Sequence, residues 1–157
     1  MLSAIAASLA AFGCVSYGGF TPGASTASEV RAASGRPTDV RFSSGEEIWE
    51  YATGPEGTET YVVVFDRNGV VRSAQQVLTE ENLRRLIPGK TTREETRNLL
   101  GRPGDVYEMN GSETWEWRFK PQGFAPEILV VSFGSDGLVS RVTRVMESVG
   151  GGRRGRR

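Results

Sequence analysis

The sequence predicts an α+β fold in which two copies of one unit follow each other, with short helices packed on antiparallel sheets of three to four strands. Three observations predict it: an internal repeat, a helix-start signal at equivalent positions of both copies, and apolar strands joined by Asn-Gly or Asp-Gly turns. With 157 residues, the chain is long enough for one ordinary domain or two very small ones. We therefore expect the two units to pack together into one body.

The internal repeat joins residues 22–53 to residues 88–119. They align without a gap at an offset of 66, and 14 of the 32 aligned positions are identical. After a two-residue insertion, the match resumes at an offset of 68 over two further apolar segments. The identical pairs are Pro22/Pro88, Gly23/Gly89, Thr26/Thr92, Glu29/Glu95, Arg31/Arg97, Gly35/Gly101, Arg36/Arg102, Pro37/Pro103, Asp39/Asp105, Val40/Val106, Gly45/Gly111, Glu47/Glu113, Trp49/Trp115 and Glu50/Glu116. This register indicates a duplicated supersecondary unit.

The N-terminus resembles a bacterial lipoprotein signal. Residues 2–12 are uncharged and mostly apolar, but they are fewer than the about 20 residues that a membrane-spanning helix needs. The segment Ala11-Phe12-Gly13-Cys14, with a small residue directly before the Cys, resembles a lipobox, where the Cys is acylated, for example with palmitate, and becomes the mature terminus. We expect residues 1–13 to be a cleaved signal peptide and residues 14–21 a tether. The alternative is an ordinary cleaved signal with an incidental Cys.

Each copy carries the sequence signature of one short helix. A Thr is followed three residues later by a Glu, so each side chain can accept a hydrogen bond from the other residue's backbone amide. A Gly and then a Pro end the helical pattern. The predicted helices span 27–34 and 93–100, with Val30 and Ala33 as the buried stripe of the first and Thr96, Leu99 and Leu100 as that of the second.

Four segments of each copy predict strands. Aromatic residues alternate with charged ones along the second strand of each copy, which places the aromatic residues on one face and Glu50, Glu116, Arg118 and Lys120 on the other. The predicted strands are 40–42, 47–53, 61–65 and 70–76 in the first copy, and 106–108, 113–120, 129–133 and 138–145 in the second. Residues 79–87 predict an amphipathic helix, capped by Thr79, that has no counterpart in the first copy. The units are thus 22–77 and 78–146.

These motifs resemble the BamE (SmpA/OmlA) outer-membrane lipoprotein domain family. The resemblance lies in a Pro-Gly before the capping box, a Gly-x-Pro after the helix, a strand Trp and a final hairpin. Pro88–Pro103 with Trp115 and Phe133–Val139 carries it best, and Pro22–Pro37 with Trp49 and Phe65–Val71 is similar as a second copy. The tandem arrangement also resembles the beta-lactamase inhibitory protein.

The family resemblance implies a location and a role. It implies a lipid-anchored protein on the periplasmic face of the bacterial outer membrane, which acts without catalysis by protein–protein binding. Outer-membrane protein assembly or envelope integrity would be the process, and outer-membrane assembly proteins the partners. Val15, which is not Asp, favours retention in the outer membrane by the same analogy. The alternative is a secreted or surface inhibitor-like binding protein that uses the sheet face of the tandem.

The sequence offers little support for catalysis. It has no His and one Cys, and no nucleophile stands beside a base. The repeated carboxylates of Asp39, Asp105, Glu50 and Glu116 are interpreted as solvated strand or turn positions, not as an acid–base pair. The paired strand aromatics are interpreted as core, with a peptide-binding surface as the alternative. Arg36 and Arg102 are interpreted as exposed turn residues, with an anion site as the alternative.

The remaining expectations concern ligands and the C-terminus. No nucleotide-binding glycine motif or metal-ligand cluster is present, so we expect no cofactor, no metal and no small-molecule substrate. The last eight residues contain four Arg, and residues 147–157 are predicted to be a disordered basic tail. This tail could contact anionic lipid headgroups. The export signal argues against a nucleic-acid partner.

Overall fold

The computed structural model of the chain describes residues 19–53 and 57–147. The predicted signal peptide, Cys14 and all but the first residue of the predicted basic tail lie outside these described residues. No helix of the described part is long and apolar enough to cross a membrane. The elements, in chain order, are α1 (Ala27–Ser34), β1 (Asp39–Ser43), β2 (Glu46–Thr53), β3 (Glu59–Phe65), β4 (Val71–Gln76), α2 (Glu80–Leu83), α3 (Arg93–Leu100), β5 (Asp105–Met109), β6 (Ser112–Phe119), β7 (Glu127–Phe133) and β8 (Val139–Met146).

The eight strands form two separate four-stranded antiparallel sheets. Their orders are β1-β2-β3-β4 and β5-β6-β7-β8, so each strand pairs with its neighbours in sequence. Such a meander requires only short turns, which the Gly-containing turns supply; Gly69, for example, has a φ of 74°. Together with the short helices, the two sheets confirm the predicted α+β class and its two tandem units.

The two repeated helices have the predicted bounds and capping boxes. The backbone amide of Thr26 donates to Glu29 Oε2 at 2.7 Å, and that of Thr92 donates to Glu95 Oε2 at 2.8 Å. These backbone hydrogen bonds, with those from the Thr side chains, lower the pKa of both carboxyl groups. The local sequence signals therefore determine where these helices begin.

Two helix predictions were wrong in detail. Ala33 is exposed, and the partly buried Ala27 packs against the first core instead. The methyl group of Ala33 is much shorter than the Leu99 side chain at the equivalent position of the second unit, which is half-buried. The helix predicted over 79–87 is α-helical only over Glu80–Leu83.

The shortened helix has a structural reason. The amide of Leu86 donates to the carbonyl of Leu83 at 3.1 Å, and the amide of Arg85 donates to Asn82 in the same three-residue pattern. This tighter turn places side chains three residues apart on the same side. Leu83 and Leu86 are consequently both buried in the second core.

The two units repeat each other in detail. Trp49 and Phe65 meet edge to face with centroids 4.7 Å apart and planes at 61°, and Trp115 and Phe133 show the same values. The register of the third and fourth strands shifts at Val64/Phe65 in one sheet and at Ser132/Phe133 in the other. The duplication seen in the sequence is therefore present in the structure.

Each unit has its own core between its helix and one face of its sheet. Most strand aromatics are buried there, as the interpretation of them as core residues predicted: Trp49, Tyr51, Trp117 and Phe119 are all at most 6% exposed. Trp115 is partly buried and packs against the second core. Phe20, assigned to the tether in the sequence, is also buried in the first core. The face of each sheet that is turned away from this core is called its outer face below.

Candidate protein-binding surface

The outer face of the first sheet is covered by charged groups of the second unit. Glu50 lies in the middle of this face, opposite Asp39 on the neighbouring strand, and only 1% of it is exposed. Its partners include Arg97 of α3 and Arg102, which follows that helix. The prediction that Glu50 is solvated was wrong, because the alternation of strand residues shows which face a side chain lies on but not what packs against that face.

Glu50 and its partners form a compact set of ion pairs, called the interunit ion cluster. Arg97 Nη1 lies 2.6 Å from both carboxylate oxygens of Glu50, and Arg97 Nη2 donates to Asp39 Oδ2 at 2.5 Å. Arg41 Nε donates to Glu50 Oε1 at 3.0 Å. The backbone amide of Arg102 donates to Glu50 Oε2 at 2.7 Å. Two carboxylates thus meet two guanidinium groups, which offsets the cost of removing Glu50 from water.

Gly101 allows the backbone of the second unit to approach the first sheet. It has a φ of 79°, and a Cβ atom there would lie 2.5 Å from Thr60 Cγ2 and 3.3 Å from Glu50 Oε2. An amino acid with a side chain would push the helix end away and lengthen the hydrogen bond from Arg102. This Gly therefore serves both the end of α3 and the contact between units.

Apolar residues complete the covered outer face. Ile48, Val62 and Val77 form a small cluster in which each residue is less than 9% exposed, and the half-buried Val64 packs against it. These side chains alternate with the core residues of the same strands. The outer face of the first sheet thus combines this apolar cluster with the interunit ion cluster, to which the second unit contributes Arg97.

The outer face of the second sheet carries equivalent residues but is open. Asp105 pairs with Glu116 in the register in which Asp39 pairs with Glu50. Tyr107 takes the place of Arg41, and its hydroxyl donates to Glu116 Oε1 at 2.5 Å. This hydrogen bond raises the pKa of Tyr107. We call this surface the open face; its residues include Asp105, Tyr107, Met109, Glu116, Arg118, Val130, Arg141 and Val145.

Three apolar side chains on the open face are exposed. Tyr107 is 37% exposed, Met109 46% and Val145 51%. They lie on the same face as the acidic pair, since alternate residues of paired strands share a face. A surface that combines exposed apolar side chains with partly unpaired carboxylates is suited to bind another protein.

The four repeated carboxylates, which the sequence predicted to be equivalent, lie in two different environments. Asp39 and Glu50 lie in the interunit ion cluster, whereas Asp105 and Glu116 lie on the open face. Arg36 and Arg102 are both exposed, as predicted for turn residues. Arg97 had no predicted role, although a cation repeated in register with a repeated carboxylate is a signal that could have indicated a pairing between units.

The described residues contain little that suggests catalysis. No group of three or more Cys, Asp or Glu side chains among them could hold a metal ion. A groove of about 370 Å³ lies between the units, and its described lining includes Thr60, Arg102, Trp117 and Arg118 but no carboxylate. The groove therefore presents cations and an indole rather than an acid–base pair.

A protein-family model matches the second unit. Residues 76–143 match the model of the outer membrane protein assembly factor BamE domain. Among solved structures, the chain is similar to a DUF4309 family protein (YjgB) from Bacillus subtilis subsp. subtilis strain 168, with 20% identity and a TM-score of 0.32 over 83% of this chain and 84% of that chain. No curated protein matches the sequence.

The matched segment begins at the end of β4 and runs through α2, α3 and most of β8. It therefore contains the helix without a counterpart, the repeated helix and the sheet that carries the open face. The first unit shares the local geometry of the second, and its own resemblance to the family stays a prediction. The resemblance to the BamE domain family is thus confirmed for the second unit.

Proposed function

We propose that this chain is a non-catalytic lipoprotein on the periplasmic face of the bacterial outer membrane, held by a lipid on Cys14. It acts by binding other proteins in outer-membrane protein assembly or in envelope integrity. The BamE domain match over residues 76–143 supports a role in the envelope. The lipobox-like sequence before Cys14 supports the anchor.

The open face is the observation that carries the proposed binding function. Its acidic pair, Asp105 and Glu116, has the same register as the pair with which the first sheet binds Arg97 of the second unit. Exposed Met109 and Val145 add apolar contact area. Since the equivalent face of the first sheet packs against the second unit within the chain, we place the partner at the open face.

Site-specific photo-crosslinking in cells tests the binding function. A photoreactive amino acid at Met109 lies on the open face, and the same amino acid at Glu108 is the matched control, because Glu108 is exposed on the opposite face of the same strand. We expect a protein adduct from position 109 that is absent from position 108. No adduct at either position, or equal adducts at both, would contradict the proposal.

Palmitate labelling tests the anchor independently. We expect radiolabelled palmitate to enter the wild-type chain, and the label to be lost in Cys14→Ser because the acylated thiol is gone. The wild-type label should fractionate with the outer membrane. Label that persists in Cys14→Ser, or a wild type that remains unlabelled, would show that Cys14 is not the lipid attachment site.

A secreted or surface inhibitor-like binding protein is the second candidate. The exposed Tyr107, Met109 and Val145 favour it, since such a protein would need apolar residues on its free sheet face. The buried strand aromatics count against it, because they are not available to a partner. Recovery of the protein from the culture medium in an unlipidated form would support this candidate over the first.

A further inference from the structure

We propose that the open face binds the first unit of a second copy of this chain, through the contacts that join the two units within one chain. The proposal rests on the proposed function in that the open face is a protein-binding surface, and it names the partner. Within one chain, the C-terminal end of α3 binds the outer face of the first sheet. The repeat equivalents of these two surfaces are the C-terminal end of α1 and the open face, and both are exposed.

The acceptor half is the open face of the second sheet. In the bound form, Glu50 accepts from Arg97 and from the amide of Arg102, and Asp39 accepts from Arg97. The equivalent carboxylates, Glu116 and Asp105, face each other in the same register. Among the described residues, Tyr107 is the partner that the structure gives to Glu116. The acceptor half therefore has unused hydrogen-bonding capacity where the bound form has an Arg and an amide.

The donor half is the C-terminal end of the first helix. Arg31, Gly35 and Arg36 are the repeat equivalents of Arg97, Gly101 and Arg102. All three are exposed, and a Cβ atom at Gly35 would meet nothing within 4 Å, whereas one at Gly101 would meet the first sheet. Gly35 also has a φ of 76°, close to the 79° of Gly101. The donor half thus has the required shape and is accessible.

The charges of the two halves are complementary. The first sheet contributes Arg41 to its own acidic pair, but the open face has the uncharged Tyr107 at that position. The acidic pair of the open face therefore lacks the cation that Arg41 supplies to its equivalent, and it can attract an incoming Arg. The donor half offers Arg31 and Arg36, and the structure gives neither of them an ion pair with the described residues.

Two differences are expected to weaken the contact between copies. Arg118 and Arg141 of the open face stand where the first sheet has Ala52 and Ser73, and they repel an incoming Arg, although Arg118 pairs with Glu147. Thr60, against which Gly101 packs, corresponds in the repeat to Ile128, whose larger side chain would hold the incoming Gly35 slightly further away. Within one chain, the covalent link also raises the effective concentration of the two halves. We therefore infer a dissociable, head-to-tail contact in which each bound pair keeps one free donor half and one free acceptor half. Such a contact produces chains or rings rather than closed symmetric dimers.

The photoreactive amino acid at Met109 of the full chain identifies the partner. Our expected result is an adduct between two copies whose cross-linked peptide contains part of residues 27–37. An adduct with a different protein alone would overturn this inference and leave the proposed binding function standing. The absence of any adduct would overturn both. Capture of an outer-membrane assembly protein in place of a second copy would therefore overturn the inference and support the proposed function.

A charge exchange tests the ion pair itself. Purified full-length protein in detergent should associate with increasing concentration, and Arg31→Glu or Glu116→Arg should each weaken this association at least about tenfold. The double variant should recover it, because the reversed charges of two copies again attract each other. Glu108→Arg, on the opposite face of β5, is the matched control and should associate like the wild type.

Sedimentation equilibrium measures these affinities, and circular dichroism confirms that each variant is folded. A wild type that stays monomeric at concentrations up to about 1 mM would overturn the inference. The inference would also be overturned if the folded double variant associated as weakly as the single variants. General damage to the surface would then explain the lost association.

Discussion

The two outer sheet faces carry the same acidic pair but have different surroundings. Glu50 is 1% exposed and has two Arg side chains and a backbone amide as partners, whereas Glu116 is half-buried and accepts from Tyr107. The local sequence around both residues is nearly the same, since both follow a strand Trp and face an Asp. In a duplicated protein, the role of a repeated residue therefore depends on whether another unit packs against its copy.

The largest expected difference between the units concerns Arg97 and its equivalent, Arg31. Replacing Arg97 by Ala removes the main cation of a buried carboxylate and should lower the free energy of unfolding by about 3 kcal/mol. Arg31→Ala, at the exposed equivalent position, should change it by no more than about 0.5 kcal/mol. Urea unfolding of both variants measures the difference. Equal effects would show that the interunit ion cluster does not stabilise the protein.

Gly101 and Gly35 should show the next largest difference. Both have a positive φ, so substitution by Ala costs backbone strain in either unit. Only at Gly101 does the new Cβ also meet Thr60, and this contact should make Gly101→Ala less stable than Gly35→Ala by about 2 kcal/mol. Thermal unfolding of the two variants gives the comparison. If Thr60→Ala fails to relieve Gly101→Ala, the clash is not the cause.

The helices show what the sequence could predict. The capping Thr and the terminating Gly act within one turn, so the bounds of α1 and α3 follow from residues that are adjacent in the chain. The hairpins follow from their Gly-containing turns for the same reason. The burial of Ala33 was predicted wrongly because it depends on how far a side chain reaches toward the sheet.

The interunit ion cluster could not be predicted in the same way. A carboxylate that alternates with aromatic residues normally faces water, and this pattern is the same for Glu50 and Glu116. Their different burial arises from the packing of α3 on the first sheet, which involves residues 47 to 58 positions apart. The repeated Arg at positions 31 and 97 is the sequence feature that could have indicated a partner for the repeated Glu.

The capping boxes should show no difference between the units. Thr92→Ala and Thr26→Ala each remove a side chain that accepts from the amide of the Glu three residues later. Each variant should therefore lose about 1 kcal/mol of unfolding free energy in urea titrations. A much larger loss of unfolding free energy in Thr92→Ala than in Thr26→Ala would mean that the variant also weakens the contact of α3 with the first sheet.

The smallest expected effect is a pH dependence that both units share. The pKa values of Glu29 and Glu95 are lowered in the folded protein, chiefly by the backbone amides of Thr26 and Thr92. A carboxyl group whose pKa is lower in the folded than in the unfolded state stabilises the fold above its unfolded pKa. This contribution is lost as the pH falls below the ordinary Glu value of 4.5 and through the folded pKa.

Glu95→Gln and Glu29→Gln should therefore flatten the acid side of the stability curve by similar amounts. Urea unfolding at a series of pH values below neutrality measures this, and the difference from the wild type isolates each group from the other carboxylates. Glu108→Gln is the control, because its exposed side chain caps no helix. If only Glu95→Gln flattened the curve, the cap of α1 would contribute less to stability than the equal cap of α3. The two units would then differ in their helices as well as in the burial of Glu50 and Glu116.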